Sequence, residues 1–334
     1  MRVLGIETSC DETAAAVVES GWRVASSVVE SSLEIHRDYG GVVPELAGRA
    51  HLTTIGPVVR RALEGAGLDP HDPAIDAVAV TSGPGLIGSL LVGLSAAKAY
   101  ALAWERPLVA VNHLEGHLFA PLLEAPALRF PLLTLLASGG HTMLVLQRSA
   151  GEHEVLGETI DDAAGEAYDK IARWLGLGYP GGPPIDRLAR EGDAGALRLP
   201  ASMLGPGLDF SFSGLKTAVV RQVGARPDLG VADVAASFQA AVVEQLTRKL
   251  AGALERYEVA GLALAGGVAA NGQLREAVVA LAADRGLEAH LPSREMCTDN
   301  AAMIAAAGLA HAARGDYAPL DLPADPGWSL EAVH

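Results

Sequence analysis

Two histidines four residues apart, in His113-Leu-Glu-Gly-His117, are the side chains of this sequence best placed to do chemistry. On a helix they share one face and can grip one metal ion. The preceding run, Pro107-Leu-Val-Ala-Val-Asn112, reads as a buried strand. The pair therefore stands where a strand ends and a helix begins, a common place for an active site in α/β proteins. Zinc proteases of the H-E-x-x-H pattern carry their acid directly after the first histidine. Here Glu115 comes two residues later, roughly 200° round the helix, and points away from a metal held by both imidazoles. That spacing argues against zincin-type proteolysis. Asp299, in Thr298-Asp-Asn300 ahead of the last predicted helix, reads by default as an N-cap. It could also join His113 and His117 in a two-histidine, one-carboxylate set. Such a set leaves open positions for substrate and suits Fe(II) or Zn(II).

Several loops could hold a ligand. Gly83-Pro-Gly-Leu-Ile-Gly88 fits G-x-G-x-x-G between a strand and a helix, which raises a nicotinamide dehydrogenase. The ribose-binding acid expected at the end of the next strand is missing, because that strand ends in Asn112-His113. A turn that lets the helix dock closely is the simpler reading. Gly266-Gly-Val-Ala-Ala-Asn271 follows an apolar run and opens a helix, where backbone and dipole favour anions. Tyr179-Pro-Gly-Gly-Pro-Pro184 is expected to be a shaped loop, flanked by Asp169 and Asp186. The carboxylates could accept bonds from sugar hydroxyls or simply cap and solvate helices. Ser9-Cys-Asp-Glu-Thr13 and Ser138-Gly-Gly-His-Thr142 are short polar turns that present N–H groups and hydroxyls.

The elements that must position these residues follow one plan used twice. Strands are expected at Arg2–Ser9, Ala14–Ser20 and Trp22–Glu30, then a helix at Pro44–Glu64, a strand at Ile75–Ser82, a helix at Leu86–Trp104 and a strand at Leu108–Asn112. The order restarts near residue 131 with Leu132–Ser138, Thr142–Gln147 and Glu154–Ile160. A long helix at Ala232–Tyr257, a strand at Gly261–Val268, a helix from Asn271, a strand at Glu288–Pro292 and a helix from Asp299 to about Ala312 follow. Both halves read βββαβα, with helical insertions in the second. This α/β pattern resembles the actin, hexokinase and Hsp70 ATPase superfamily, in which two lobes flank a cleft; consecutive opening strands argue against a single Rossmann sheet. The first lobe is expected over 1–130 with the C-terminal helix at about 299–334, and the second over 131–298.

The chain has 334 residues, half of them apolar, enough for two ordinary domains. Its N-terminus lacks the apolar core of a signal peptide, and no uninterrupted apolar run reaches membrane-spanning length. Two cysteines, Cys10 and Cys297, suit a reducing cytoplasm; buried, inert thiols are the default, and a disulfide or thiolate ligation is the alternative. The net charge of −15 repels phosphate backbones, so a nucleic-acid partner would need a local basic patch or a second subunit.

With these residues assembled, the sequence closely resembles the TsaD family, also called Gcp or YgjD, from Gly5 to about Ala307. The strings that carry it are Gly5-Ile-Glu-Thr-Ser-Cys-Asp-Glu-Thr13, Asn112-His-Leu-Glu-Gly-His117, Ser138-Gly-Gly-His-Thr142, Asp161-Asp-Ala-Ala-Gly-Glu166, Gly178-Tyr-Pro-Gly-Gly-Pro183, Phe210-Ser-Phe-Ser-Gly-Leu-Lys216, Gly266-Gly-Val-Ala-Ala-Asn271 and Cys297-Thr-Asp-Asn-Ala-Ala-Met303. Ala137 and Tyr168 are mild departures from its pattern. The resemblance implies a cytoplasmic enzyme that moves the threonylcarbamoyl group from threonylcarbamoyl-AMP to N6 of adenosine 37, in tRNAs reading codons that begin with A. It implies metal ligands at His113, His117 and Asp299, with one divalent ion per subunit, Fe(II) favoured over Zn(II) or Mg(II). It implies substrate contacts at Leu136, Ala137, Ser138, Gly139, Gly140, Asp169, Gly182, Asp186 and Asn271. Asp11 and Glu12 are candidates to take the N6 proton. Implied partners are the paralogue TsaB, the ATPase TsaE and tRNA, with no membrane. The alternatives are a non-catalytic TsaB-like scaffold, a small-molecule kinase on the same fold, and a metalloprotease.

Overall fold

The computed structural model describes residues 1–200, 207–226 and 228–332. Residues 201–206, 227, 333 and 334, which the expected lobes include, lie outside the described residues. The chain divides into two units: Met1–Leu128 with Ala150–Glu152 and Thr298–His334, and Arg129–Ser149 with His153–Cys297.

The first unit runs β1 (Arg2–Glu7), β2 (Glu12–Glu19), β3 (Arg23–Ser31), α1 (Leu33–Arg37), α2 (Pro44–Gly65), β4 (Ala77–Gly83), α3 (Ile87–Ala103), β5 (Leu108–Asn112) and α4 (His113–Glu124). The second runs β6 (Leu132–Ala137), β7 (Thr142–Ser149), β8 (Glu152–Glu158), α5 (Ala164–Trp174), α6 (Gly182–Ala189), α7 (Ser213–Gly224), α8 (Val231–Leu254), β9 (Gly261–Ala265), α9 (Gly272–Asp284), β10 (Glu288–His290) and α10 (Arg294–Cys297). The chain then returns to the first unit as α11 (Ala301–Arg314).

The sheet orders are β3-β2-β1-β4-β5 and β8-β7-β6-β9-β10, the same order twice. In each, the first two strands pair antiparallel and the later ones add in parallel to the first. The parallel strands β4 and β9 are buried on both faces, so they carry continuous small and apolar residues rather than an alternation. Leu4, Ile6, Val17, Val78, Val80 and Leu94 centre one core. Leu133, Leu135, Phe210, Phe238, Leu246 and Leu264 centre the other.

Some boundaries differ from expectation for local reasons. β2 begins at Glu12, because Glu12 and Thr13 already pair in register with Ser31 and Glu30; polar side chains at a strand's start resemble a turn in sequence. The Pro-Gly stretch expected to be loop throughout contains the first turn of α6. A proline is tolerated there because the first N–H groups of a helix have no partner to lose. The apolar run expected as a strand to Val268 stops at Ala265, where Gly266 takes a φ of 83° and a short 3-10 turn, Gly267–Ala270, begins.

α11 lies against β1, β2, β4 and α4. Its buried face is built from Ala301, Ala302, Ala305, Ala306 and Gly308, small enough to let its backbone approach the sheet. A Cβ on Gly5 of β1 would stand 2.6 Å from the Ala305 amide nitrogen and 2.8 Å from its Cβ, and would also meet Ala301 O. A side chain there must displace backbone. Gly5→Val is therefore expected to destabilise the chain by about 1–3 kcal/mol or more, read as a lower urea midpoint. An unchanged midpoint would contradict this close seating of α11.

Candidate metal centre and substrate residues

In the first unit, Asn112 ends β5 and caps α4. Its Oδ1 accepts from Leu114 N at 2.9 Å and Glu115 N at 3.4 Å, and its Nδ2 donates to Trp328 O at 3.1 Å. This starts the helix at His113, so His113 and His117 occupy successive turns, their ring centroids 4.8 Å apart. The default reading of Asp299 as an N-cap is overturned. Asn300 caps α11, its Oδ1 accepting from Met303 N at 3.0 Å and its Nδ2 donating to Thr298 O at 2.8 Å. The Asp299 carboxylate is thereby left for the imidazoles. Its Oδ1 lies 3.2 Å from His117 Nε2 and 3.5 Å from His113 Nε2. One ligand atom from each of the three residues falls within 4.8 Å of the others.

The donor chemistry fits a divalent cation. His113 Nδ1 lies 3.0 Å from Glu7 Oε2 and 3.2 Å from Ser9 Oγ. Glu7 is fully buried and accepts from Thr81 Oγ1 at 2.5 Å and from Ser9 N. A carboxylate accepts only, so the Nδ1 proton of His113 faces Glu7, which leaves Nε2 as the ring nitrogen turned toward Asp299. His117 is fully buried, and its ring nitrogens have no hydrogen-bond partner among the described residues; Nε2 is close to Asp299 without hydrogen-bond geometry. Without an ion the site attracts protons instead. Burial opposes charge on His113, yet Asp299 and Glu7 raise its pKa well above the usual imidazole value. Burial likewise opposes the Asp299 carboxylate, yet the imidazoles hold it far below the usual range.

Glu115 is turned away from these ligands. Its Oε2 accepts from His311 Nε2 at 2.9 Å, which removes it as the base of a zincin. Asp11 and Glu12 straddle the end of the β1–β2 turn. Asp11 O accepts from Ser32 N at 2.9 Å and Ser32 Oγ at 2.8 Å. His51 on α2 pins the same turn through Cys10 O at 3.0 Å and Thr13 Oγ1 at 2.8 Å. Burial first, then the charges of Asp299 and Asp11, push the Glu12 carboxyl up to about 9. Both cysteines are free thiols.

The proposed substrate residues lie in the second unit. Leu136 and Ala137 are core residues of β6, so only their backbone could meet a ligand. Ser138 accepts through its carbonyl from Gly165 N at 3.1 Å, and Gly139 and Gly140 are exposed. Asp169, on α5, accepts from Gly181 N at 2.7 Å, which fixes the chain just before Gly182; burial raises its pKa. Asp186, on α6, accepts from Gln239 Nε2 at 3.2 Å and Gly272 N at 3.3 Å. Asn271 caps α9 through Leu274 N at 2.9 Å and donates to Gln239 Oε1 at 2.7 Å and Tyr168 OH at 3.4 Å. Gln239 thus ties Asp186 to Asn271.

Sequence reasoning passed over Glu7, His51 and Gln239. Glu7 and Gln239 share a signal: each is a polar residue directly beside a run of apolar ones, Glu7 after Ile6 and Gln239 after Phe238. A buried polar group needs a partner, and here the partners are candidate site residues, His113 for Glu7 and Asp186 and Asn271 for Gln239.

A family model described as tRNA N6-adenosine threonylcarbamoyltransferase, TsaD, matches residues 23–306. A protein of that name from Anaeromyxobacter sp. is 55% identical over 99% of this chain and 100% of its own length. One from Symbiobacterium thermophilum is 54% identical over 98% of this chain and 96% of its own. Among solved structures, component A of the Acidaminococcus fermentans (R)-2-hydroxyglutaryl-CoA dehydratase aligns with a TM-score of 0.57 at 15% identity, covering 94% of this chain and 99% of that one. HypF from T. kodakarensis aligns with a TM-score of 0.61 at 14% identity, covering 94% of this chain and 48% of that one. These likenesses bear on fold, and the fold is the duplicated actin/hexokinase/Hsp70-like one. Among the described residues no helix is long and apolar enough to cross a membrane.

If Glu7 orients His113 for an ion, Glu7→Gln should weaken Zn(II) binding by about 10–100-fold. Equilibrium dialysis reads this directly, and unchanged affinity would remove Glu7 from the centre.

Proposed function

Because the chain belongs to the TsaD family of tRNA N6-adenosine threonylcarbamoyltransferases, we propose that it takes its acyl group from threonylcarbamoyl-AMP and delivers it to N6 of adenosine 37, in tRNAs reading codons that begin with A. We assign His113, His117 and Asp299 to one divalent ion, Fe(II) before Zn(II) or Mg(II). The observation that carries this assignment is that one nitrogen of each imidazole and one carboxylate oxygen lie within 4.8 Å of one another.

The chemistry needs positioning more than a protein nucleophile. The N6 lone pair is conjugated into the adenine ring and attacks poorly, whereas the donor is already a reactive mixed anhydride. N6 bonds to the carbamoyl carbon, the bond from that carbon to the phosphate oxygen breaks, AMP leaves with the electron pair, and N6 gives up a proton. Holding the reactants and stabilising charge on oxygen supply the acceleration. A bound ion with open positions supplies Lewis-acid stabilisation of that charge. Glu7 keeps His113 in the tautomer that leaves Nε2 free to ligate. Asp11 and Glu12 are proposed as acceptors of the N6 proton. Burial is the larger cause of the Glu12 shift, and a cation held by Asp299 would offset the part due to that carboxylate's charge. The backbone of Leu136–Gly140, with Asp169, Gly182, Asp186 and Asn271, is proposed to hold the adenylate, Gln239 keeping the last two in place.

Charge supports a partner for tRNA. Arg61, Arg190 and Arg248 are paired with Glu30, Asp186 and Glu244. We assign the basic surface that meets tRNA to a TsaB-type paralogue, with a TsaE-type ATPase as the second partner, acting in the cytoplasm. The family's transferase identity displaces the scaffold and kinase readings, and the orientation of Glu115 displaces the protease.

The test supplies threonylcarbamoyl-AMP and unmodified tRNA, with and without both partners, and reads the nucleosides by mass spectrometry. Threonylcarbamoyladenosine should appear in dependence on this chain. His113→Ala should lower its formation by about a hundredfold or more while leaving the circular dichroism spectrum unchanged. Full transfer by metal-free His113→Ala would remove the ion from the reaction.

A further inference from the structure

The three proposed ligands come from two segments that share no local contact in sequence. His113 and His117 ride on α4, and Asp299 stands directly before α11. Their meeting depends on how α4 crosses α11. At the crossing the surfaces are apolar and small. A Cβ on Gly116 would stand 2.7 Å from Ile304 Cδ1 and 3.3 Å from Met303 Cγ. Apolar packing of this kind holds the helices together but is not directional, so it does little to set the rotation of α4 about its own axis.

A directional contact lies on the other side of that crossing. Glu115 is 1% exposed, and its Oε2 accepts from His311 Nε2 at 2.9 Å. Its Oε1 has no partner among the described residues, so the buried carboxylate leans on His311. The opposite ring nitrogen, His311 Nδ1, lies 3.1 Å from Arg314 Nη2 and 3.5 Å from Asp316 Oδ2. The imidazole is therefore held from both sides.

The order of contacts along α11 is informative. Asp299 before its start meets the two histidines, Met303 and Ile304 meet Gly116, and His311 in its last turn meets Glu115. At 100° per residue, Glu115 projects roughly 200° from His113 and from His117. A rotation of α4 that swings the imidazoles away from Asp299 must also pull Glu115 from His311. We propose that the Glu115–His311 pair is a positioning device for the metal centre. It fixes the rotation of α4 so that both Nε2 atoms face Asp299 before an ion arrives. Glu115 thereby has a role in the H-x-E-G-H string that is neither ligation nor proton transfer. A buried pair is a weak source of net stability but a strong constraint on register, because breaking it strands a buried charge.

This inference rests on the metal-centre reading, and one set of measurements separates the two. Zn(II) binding to the full-length chain is measured by equilibrium dialysis, alongside the thermal midpoint of the zinc-free protein. Wild type should bind one equivalent, lost in His113→Ala and His117→Ala. Glu115→Leu and His311→Leu should each weaken Zn(II) binding about tenfold, and the double variant should be no weaker than either single one, because the partners act as a unit. Glu115→Gln should recover most of the affinity, since its amide oxygen still accepts from His311. Should a leucine variant fail to fold, Glu115→Met and His311→Phe with their double variant form the same cycle in side chains of similar shape that cannot pair. Wild-type affinity in Glu115→Leu and His311→Leu, or losses that add in the double variant, would overturn the positioning role and leave the centre standing. Wild-type protein whose zinc binding is indifferent to His113 and His117 would overturn the centre itself.

Discussion

Three electron-rich atoms are held against one another in the first unit: two imidazole nitrogens and a carboxylate oxygen, in surroundings where water screens little. Such a cluster is unfavourable unless positive charge enters it. The shifts at His113 and Asp299 express this directly, since each moves toward its charged form against the pull of burial. A divalent ion meets the same demand and does so with open positions left for a substrate oxygen. The surrounding protein exists in part to keep the ligands close despite their mutual repulsion.

That work is done by packing, capping and buried pairing together. Asn112 and Asn300 cap the two helices and so decide where each begins. The second cap matters most, because it frees Asp299 from the role its position suggests. Gly5, on the strand that ends in Glu7, lets α11 settle against the sheet, and Glu7 reaches His113 from that same strand. The centre is thus assembled from β1, α4 and the entrance to α11, none of which could form it alone.

The second unit repeats the sheet order but uses its polar residues differently. Asn271, Gln239 and Asp186 form a connected set: Gln239 bonds both of the others, and Asn271 also caps α9. Such a set rigidifies the turn after β9 and the start of α6. The duplicated fold thus gathers two imidazoles and a carboxylate in one half, and glycine-rich turns with fixed hydrogen-bonding groups in the other.

Patterns carried by neighbours in sequence were legible without coordinates. The βββαβα repeat, the shared helical face of His113 and His117, the turned-away Glu115 and the glycine-rich turns all follow from spacings of two, four or a few residues, and the long motif strings placed the chain in its family. The partners of those residues were not legible. Glu7 is 106 residues from His113, and Glu115 is 196 residues from His311. Asp299 could be read as a cap or as a ligand, and only the position of Asn300 in the folded chain removed the first of these. The physical reason is the range over which each kind of information acts. Backbone geometry fixes which side chains share a face of one element, whereas which faces meet depends on how sheets and helices pack, and that is settled by the whole chain at once.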